Sequence, residues 1–162
     1  MSWLPPDFEP PLLLETARFR LRPLSADDVD KDYDAVISSR ERLWQMFGEA
    51  WGWPKADLSF EQDRKDLVWH EEEFERRSSF AYEAMSPDES RLLGCVYVDP
   101  PTKRGFDAEA FWWVRDSELE NGMDEELGAT IRDWLASEWP FTKVAFPGRE
   151  IPWAEYRALA GA

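Results

Sequence analysis

The stretch AEAFWWVRDSELENGMDEELGATIRDWLASEW, residues 108–139, decides the fold of this 162-residue chain. It begins with an apolar run that predicts a buried strand, and a short loop with a single glycine follows. Beyond the loop, four apolar residues share one helical face: Leu127, Ile131, Trp134 and Leu135. Because the amides that open a helix are unpaired and lie at the positive end of its dipole, this arrangement can bind a phosphate.

Five carboxylates crowd this loop and leave a second interpretation open: Glu118, Glu120, Asp124, Glu125 and Glu126. Acidic residues at a helix start are ordinary caps that stabilise the dipole by about 0.3–1 kcal/mol. The stretch could therefore be an acidic helix start without a ligand. The same charges would repel a polyanion, and Arg115, just upstream, could compensate for them in part.

Period-two patterns predict five strands in the rest of the chain: Arg18–Leu24, Ser79–Met85, Arg91–Pro100, Phe106–Arg115 and Phe141–Phe146. The second and third form a hairpin through the turn SPDES. A helix separates the last two strands, and such a crossover implies that these two strands are parallel. The sheet is therefore expected to be mixed.

Helix signals lie on both sides of the hairpin. Ser25 opens a first helix, and a second, short helix over Arg40–Phe47 is expected to stop at Gly48. Ser59 and Gln62 form a capping box for a third helix that runs to about residue 77. We expect one α+β domain over residues 1–162, with an extended arm over 1–13 and a short tail over 147–162.

Composition narrows the classes of partner. The net charge of -15 and the pI near 4.4 argue against nucleic acid and against anionic membrane surfaces. They favour a cationic or amine-bearing partner, although acidity can also serve solubility alone. With no basic leader and no run of about 20 apolar residues, the chain is expected to be cytoplasmic.

Neither cysteine nor histidine indicates metal or disulfide chemistry. Cys95 is the only cysteine and lies in an apolar strand, so it is expected to be a small core residue. His70 is the only histidine, and its spacing from Leu67 and Phe74 places it beside the buried face of its helix. One histidine without a cysteine pair makes a zinc site improbable.

The order of these elements resembles the GNAT superfamily of N-acetyltransferases. LETARFRLRPLSADDVDKDY (14–33) is similar to the first strand and helix of that family, and RLLGCVYVDP (91–100) is similar to its third strand. DAEAFWWVR (107–115) resembles the fourth strand, where the family often has AEIGYWV, and GMDEELGATIRDWL (122–135) resembles the helix after the cofactor loop. The early tryptophan loop and the long capped helix are closest to the ribosomal-protein N-terminal acetyltransferases. The resemblance implies a GNAT-like sheet that lacks the usual C-terminal hairpin.

This resemblance implies acetyl-CoA as the cofactor. The family holds its pyrophosphate on a Q/R-x-x-G-x-G/A loop, and its pantetheine arm lies along the splayed fourth strand. Aligning Gly122 with the second glycine places Glu120 at the first and Ser117 at the basic position, so the loop departs from the pattern. The residues implied to bind the cofactor are Trp113, Val114, Arg115, Asn121, Gly122, Met123 and Asp124.

The resemblance also implies candidates for proton transfer and for acceptor binding. Glu109 stands where the family often has a glutamate, as a general base or, alternatively, as an ion-pair partner of a strand-one arginine such as Arg20. Tyr156 is the only tyrosine available downstream as a general acid. Trp51 and Trp53 border the implied acceptor pocket, where they could bind an amine by cation–π contact or only cap the core. Glu49 and Asp57 are nearby acids that could assist them.

The leading functional hypothesis is acetyl transfer from acetyl-CoA to a primary amine, either a peptide N-terminus or a small amine. The alternative is a binding or interaction module that has kept the fold and lost the cofactor. A homodimer is a third expectation, because a sheet without its last strands has an edge that a partner subunit, or the proline-rich arm, could cover.

Overall fold

The computed structural model describes residues 2–162. Six strands form the sheet: β1 Leu14–Glu15, β2 Arg20–Pro23, β3 Phe80–Met85, β4 Leu92–Asp99, β5 Ala108–Val114 and β6 Val144–Ala145. Five α-helices flank it: α1 Val29–Ser38, α2 Arg40–Trp51, α3 Phe60–Glu75, α4 Met123–Glu138 and α5 Trp153–Arg157. Short 3-10 turns at residues 26–28 and 116–118 lead into α1 and towards α4.

The strands follow one another in chain order across the sheet, and every pair is antiparallel except β5 and β6. The parallel pair confirms the mixed sheet expected from the helical crossover. The last strand is shorter than Phe141–Phe146, because the Asp107 carboxylate accepts the amides of Thr142 and Lys143. Those amides therefore cannot enter a ladder, and β6 is limited to two residues.

The second helix ends later than its sequence predicts. Gly48 is a buried interior residue of α2, and a Cβ there would lie 2.6 Å from the Trp44 ring. The helix stops at Gly52, which has a φ of 64° and donates its amide to the Gly48 carbonyl. In the sequence, either glycine could end the helix. In the structure, only Gly52 has the left-handed backbone conformation typical of a helix C-terminus.

The Ser59 cap of α3 is confirmed, since its hydroxyl accepts the Gln62 amide at 3.1 Å. Ser59→Ala is expected to lower the free energy of unfolding by about 1 kcal/mol, because an opening amide of the helix then loses its acceptor. Urea denaturation measures the change. Ser137→Ala, late in α4, is the matched control and should leave stability nearly unchanged. Equal losses in both variants would contradict a capping role.

Two apolar cores lie on opposite faces of the sheet. Along β5, Trp112 and Val114 pack with α4 on one face, whereas Phe111 and Trp113 pack towards α1 and α2 on the other. Trp134 and Trp139 join the first core, as expected, and the fully buried Cys95 belongs to the second.

The N-terminal arm is attached to the first core rather than detached from the domain. Leu4 is buried, Trp3 stacks on Phe141 at 5.8 Å, and Phe8 contacts Trp139 at 5.2 Å. The arm thus covers apolar surface near the start of β6. Among residues 2–162, no helix has the length and apolar character that a membrane crossing requires.

Candidate active site

The site begins where β5 and β6 separate. The two strands pair only at Ala108 with Val144 and Glu109 with Ala145, and beyond these positions the chain after β6 turns away. The edge of β5 that faces this gap keeps its backbone groups out of any ladder. A cleft of about 270 Å³ lies beside that edge, lined by Phe111 and Trp112 on one side and by residues 147–149 on the other.

Glu109 and Tyr156, the two residues predicted to transfer protons, are in direct contact at the inner end of this gap. The Tyr156 hydroxyl, carried by α5, donates to Glu109 Oε1. Thr102 donates to the same oxygen through its hydroxyl and also through its amide, the latter at 3.2 Å. Both Glu109 and Tyr156 are buried. Burial, reinforced by the bond to Glu109, raises the pKa of Tyr156, so its phenol stays protonated at neutral pH.

The alternative in which Glu109 pairs with Arg20 is wrong. The Arg20 guanidinium, on β2, binds Glu15 and Glu89, each at 2.8 Å. Within residues 2–162 no lysine or arginine forms an ion pair with Glu109. Its carboxylate is instead held by neutral donors, which leaves its second oxygen available to a ligand.

A cavity of about 620 Å³ opens beside Glu109, between α3 and the sheet. Trp51 and Trp53, the predicted acceptor residues, both line it. The acids predicted to assist them lie elsewhere: Glu49 pairs with Arg157 at 2.7 Å, and Asp57 lines a neighbouring cavity. The cavity is acidic all the same, because six other carboxylates reach it: Asp32, Asp63, Asp66, Glu73, Asp99 and Glu109.

The deepest of these carboxylates belong to Asp32 on α1 and Asp63 on α3. Both side chains are almost fully buried, and each carboxyl group affects the ionisation of the other. Burial raises the pKa of both, and each lies near further acids that oppose its ionisation. Asp32 also accepts from Cys95 Sγ at 3.8 Å. Sequence reasoning missed this pair, although both acids occupy core-facing positions of amphipathic helices.

The rest of the cavity wall combines a further acid with the only histidine. Burial raises the pKa of Asp99 to about 6, while Ser79 donates to its carboxylate. Asp99 lies directly across from Glu109 in the β4–β5 ladder. His70 borders the buried face of α3, as expected, with its ring 5.6 Å from that of Tyr97.

Arg115 does not face the predicted cofactor loop. Its guanidinium donates to the Leu92 carbonyl at 3.2 Å and to Asp34 at 2.8 Å, towards α1. It therefore cannot compensate for the missing basic residue of that loop. Trp113 and Val114 are also fully buried, and the Trp113 indole donates to Tyr97 at 3.0 Å. Only the backbone of these two residues could contact a cofactor.

Other arginines meet the loop and the free edge of β5. Arg149 spans the gap: it donates to the Trp112 carbonyl at 2.8 Å and forms a bidentate pair with Asp124 at 2.6 and 2.9 Å. Arg42 donates to the Val114 carbonyl and to Asp116. Sequence reasoning did not single out either arginine, because each comes from a segment remote from the loop.

The start of α4 has backbone amides that could bind an anion, and one of these amides is already capped by a side chain. Gly122 precedes the helix with a φ of 77°, and the Asn121 side chain accepts the Met123 amide at 3.1 Å. The Asp124 carboxylate turns to Arg149 rather than to the helix amides. Glu118 is likewise neutralised, by Arg91. Three of the five carboxylates, Glu118, Asp124 and Glu126, are thus paired with arginines that come from outside the loop.

Acetyl-CoA fits these residues only if Arg42 releases the Val114 carbonyl and Arg149 changes partners. The cleft and the free β5 edge suit an extended pantetheine arm, which can hydrogen-bond to an open strand edge. The open amides of α4 and the Arg149 guanidinium suit a diphosphate. Arg149 must then exchange Asp124 and the Trp112 carbonyl for phosphate oxygens, because it holds both in this structure.

No protein-family model and no curated protein matches the chain. Solved structures do. A Vibrio cholerae protein assigned as a ribosomal-protein-serine acetyltransferase is 16% identical with a TM-score of 0.66, over 90% of this chain and 75% of that one. RimL, a ribosomal L7/L12 α-N-protein acetyltransferase solved with coenzyme A, is 17% identical with a TM-score of 0.60, over 75% and 67%. FdhC, a nucleotide-linked sugar GNAT, is 11% identical with a TM-score of 0.59, over 83% and 71%.

These similarities define the class of fold. The chain has the GNAT acetyltransferase fold, with the mixed, mostly antiparallel sheet flanked by helices that its sequence predicts. After β6, the described residues add one short helix and isolated bridges at Pro147 and Lys103, but no further strand of the sheet. At these identities, function must come from the site itself.

Proposed function

We propose that this protein is an N-acetyltransferase that transfers the acetyl group of acetyl-CoA to a cationic primary amine. One observation carries the proposal. Glu109 lines the acidic, tryptophan-lined cavity and stands at the last paired position before β5 and β6 separate, with the Tyr156 hydroxyl bonded to it. A donor along β5 and an acceptor in the cavity would therefore meet at the same two side chains.

The cavity supports an amine as the acceptor. Its carboxylates attract a cation, and the indole faces of Trp51 and Trp53 can contact an ammonium group or its alkyl chain. A volume of about 620 Å³ admits a small molecule or the first residues of a peptide. The similar solved structures include acetyltransferases of ribosomal proteins and a nucleotide-linked sugar GNAT. Between these acceptors, the acidic cavity favours an amine with further positive charge.

Acetyl-CoA, when bound, supplies an acyl group activated as a thioester. In this chain, the β5 edge at Trp112 and Val114 would hold its arm, and Arg149 with the first amides of α4 would hold its diphosphate. These contacts fix the acyl group beside the acceptor. Such positioning can lower the barrier by about 7–11 kcal/mol.

Glu109 and Tyr156 divide the proton transfers. The ammonium group first loses one proton to water, and Glu109 then takes a second proton from the neutral amine as the new C–N bond forms. The neutral Tyr156 phenol gives its proton to the departing thiolate as the C–S bond breaks. The proton on Glu109 can pass to Tyr156 along their hydrogen bond once Tyr156 has protonated the thiolate. Thr102 and Tyr156 together orient the Glu109 carboxylate, so the base is fixed before the acceptor arrives.

Release of free thiol from acetyl-CoA tests the proposal. The purified protein is incubated with acetyl-CoA and, separately, with a monoamine, a diamine, an N-terminal peptide and an amino sugar. Time-dependent thiol release with at least one amine is the expected result, together with a mass gain of one acetyl group on that amine. No release with any acceptor, and no thermal shift with acetyl-CoA, would contradict the proposal.

The second candidate is a binding module that retains the amine cavity without acetyl transfer. The position of Arg149 favours it, because this side chain holds the carbonyl and the carboxylate next to which a cofactor would lie. The two candidates differ in whether Arg149 can change partners.

Asp124→Asn is expected to tighten coenzyme A binding by about tenfold, because one anion at the helix start is removed and Arg149 is released towards the diphosphate. Isothermal titration with coenzyme A measures the change. Glu138→Gln, at the far end of α4, removes the same charge and should leave the affinity unchanged. Unmeasurable binding to both the wild-type protein and Asp124→Asn would favour the binding module.

A further inference from the structure

Among residues 2–162, the buried Asp32–Asp63 pair forms no ion pair, and the Cys95 thiol is the one side-chain donor to it. Asp63 is 2% exposed, lines the cavity, and its Oδ2 atom has no hydrogen-bond partner among residues 2–162. Placing two carboxyl groups together out of water is unfavourable unless a cation or donors compensate them. The protein thus keeps an acceptor without a donor in the wall of an acidic cavity.

The cation that this position suits is organic. In the described chain, no group of three or more histidine, cysteine, aspartate or glutamate side chains is arranged to hold a metal ion. The walls next to the pair are aromatic and apolar, with Trp53, Leu67 and Tyr97 among them. An ammonium group on an alkyl chain satisfies both features, since the nitrogen binds the carboxylates and the methylenes contact the rings.

The pair and Glu109 lie at opposite ends of the cavity. Asp32 contacts Cys95 in the middle of β4, whereas Glu109 lies opposite Asp99 at the end of that strand. Four residues of strand separate those positions, or about 13 Å at roughly 3.3 Å per residue. A hydrogen bond at each end shortens the span required of a ligand, so two nitrogens separated by several methylenes fit.

We infer that the acceptor is a linear aliphatic diamine or polyamine, with its second ammonium group bound at Asp63 while the reacting amine lies at Glu109. This inference rests on the proposed function, since it names the acceptor of the same cavity. It also separates two roles: Glu109 touches the nitrogen that reacts, and Asp63 selects which amines can enter.

Binding of 1,5-diaminopentane and of pentylamine, measured by titration calorimetry without acetyl-CoA, tests the inference. The diamine is expected to bind the wild-type protein at least about tenfold more tightly, since only it can reach both ends. Asp63→Asn should weaken diamine binding by about 30-fold and leave pentylamine unchanged, because an amide cannot compensate a buried cation. Glu61→Gln, an exposed acid on the same helix, is the matched control and should change neither affinity.

Proton release gives a second readout. An ammonium group beside Asp32 and Asp63 favours their ionised forms, so binding should release protons and diamine affinity should rise with pH. The other titratable groups that face the pair are Asp66 and His70 on α3, Glu83 on β3 and Cys95 on β4. Titrations in buffers of different ionisation enthalpy count the protons, and Asp63→Asn should release fewer.

The outcomes keep this inference distinct from the proposed function. Equal affinity for diamine and monoamine, or an unchanged preference in a folded Asp63→Asn variant, overturns the inference even if acetyl transfer occurs. Diamine preference without thiol release supports Asp63 as the binding site of the second ammonium group, but contradicts acetyl transfer and with it the diamine as an acceptor. The last arm of the test is a peptide with an N-terminal amine and a nearby lysine, compared with spermidine. If the peptide binds more tightly than spermidine, the second ammonium group belongs to a protein acceptor. That result overturns the assignment of a small-molecule acceptor.

Discussion

Glu109→Gln is expected to lower kcat for acetyl transfer by about 100-fold or more, with little change in the affinity for either substrate. Glutamine has the same shape and can still accept from Tyr156 and Thr102. It cannot take a proton from the amine. The loss should therefore appear in kcat, which steady-state assays of thiol release measure, and the circular dichroism spectrum should match the wild type.

The pH profile separates a base from a residue that only positions. A proton-accepting role predicts that Glu109→Gln stays impaired at every pH, because no change of pH restores the missing acceptor. Glu155→Gln is the matched control on α5, and its exposed carboxylate should leave the profile intact. Recovery of the wild-type rate by Glu109→Gln at any pH would assign the proton to another group, and Asp99, whose pKa is raised to about 6, lies across the ladder from Glu109.

The sequence predicts the sheet and much of the candidate site because these depend on local patterns. Strand alternation and the Ser59 cap are visible over a few residues, and the helix between β5 and β6 dictates that this pair is parallel. Glu109, Trp51 and Trp53 are predicted as site residues from the resemblance of the order of elements to the GNAT superfamily. The sequence offers Tyr156 only as the last tyrosine in the chain. In the structure its hydroxyl donates a hydrogen bond to Glu109.

The remaining contacts depend on long-range packing that no short window of sequence contains. Arg149 reaches Asp124 across 25 positions of the chain, and Arg115 turns to Asp34 across 81. The Asp32–Asp63 pair joins two helices whose relative rotation is set by the core. The signal in the sequence is an acid at a core-facing position of an amphipathic helix. Taken alone, Asp32 or Asp63 looks like an ordinary residue at the border of the apolar face.

Gly94→Ala is expected to lower the free energy of unfolding by about 3 kcal/mol or more. A Cβ at this position would lie 2.1 Å from the Trp113 carbonyl oxygen and 3.0 Å from the Val114 Cα. Both are backbone atoms of β5, so no side-chain rotation can relieve the collision. The strands must separate locally, and thermal unfolding should begin about 6–12 °C lower for a chain of this length.

Gly161→Ala is the control for this change, because a Cβ there would approach only the Thr102 carbonyl, at 4.0 Å. Its stability should equal that of the wild type. The Gly94 variant also has a functional consequence, since Gly94 lies opposite Val114, where Arg42 binds the end of β5. Displacing that end alters the cleft but not the α1–α3 side of the cavity. At a temperature where Gly94→Ala remains folded, coenzyme A binding should therefore weaken while diamine binding persists. Equal loss of both would show that the cleft beside β5 and the cavity beside α1 and α3 are not independent.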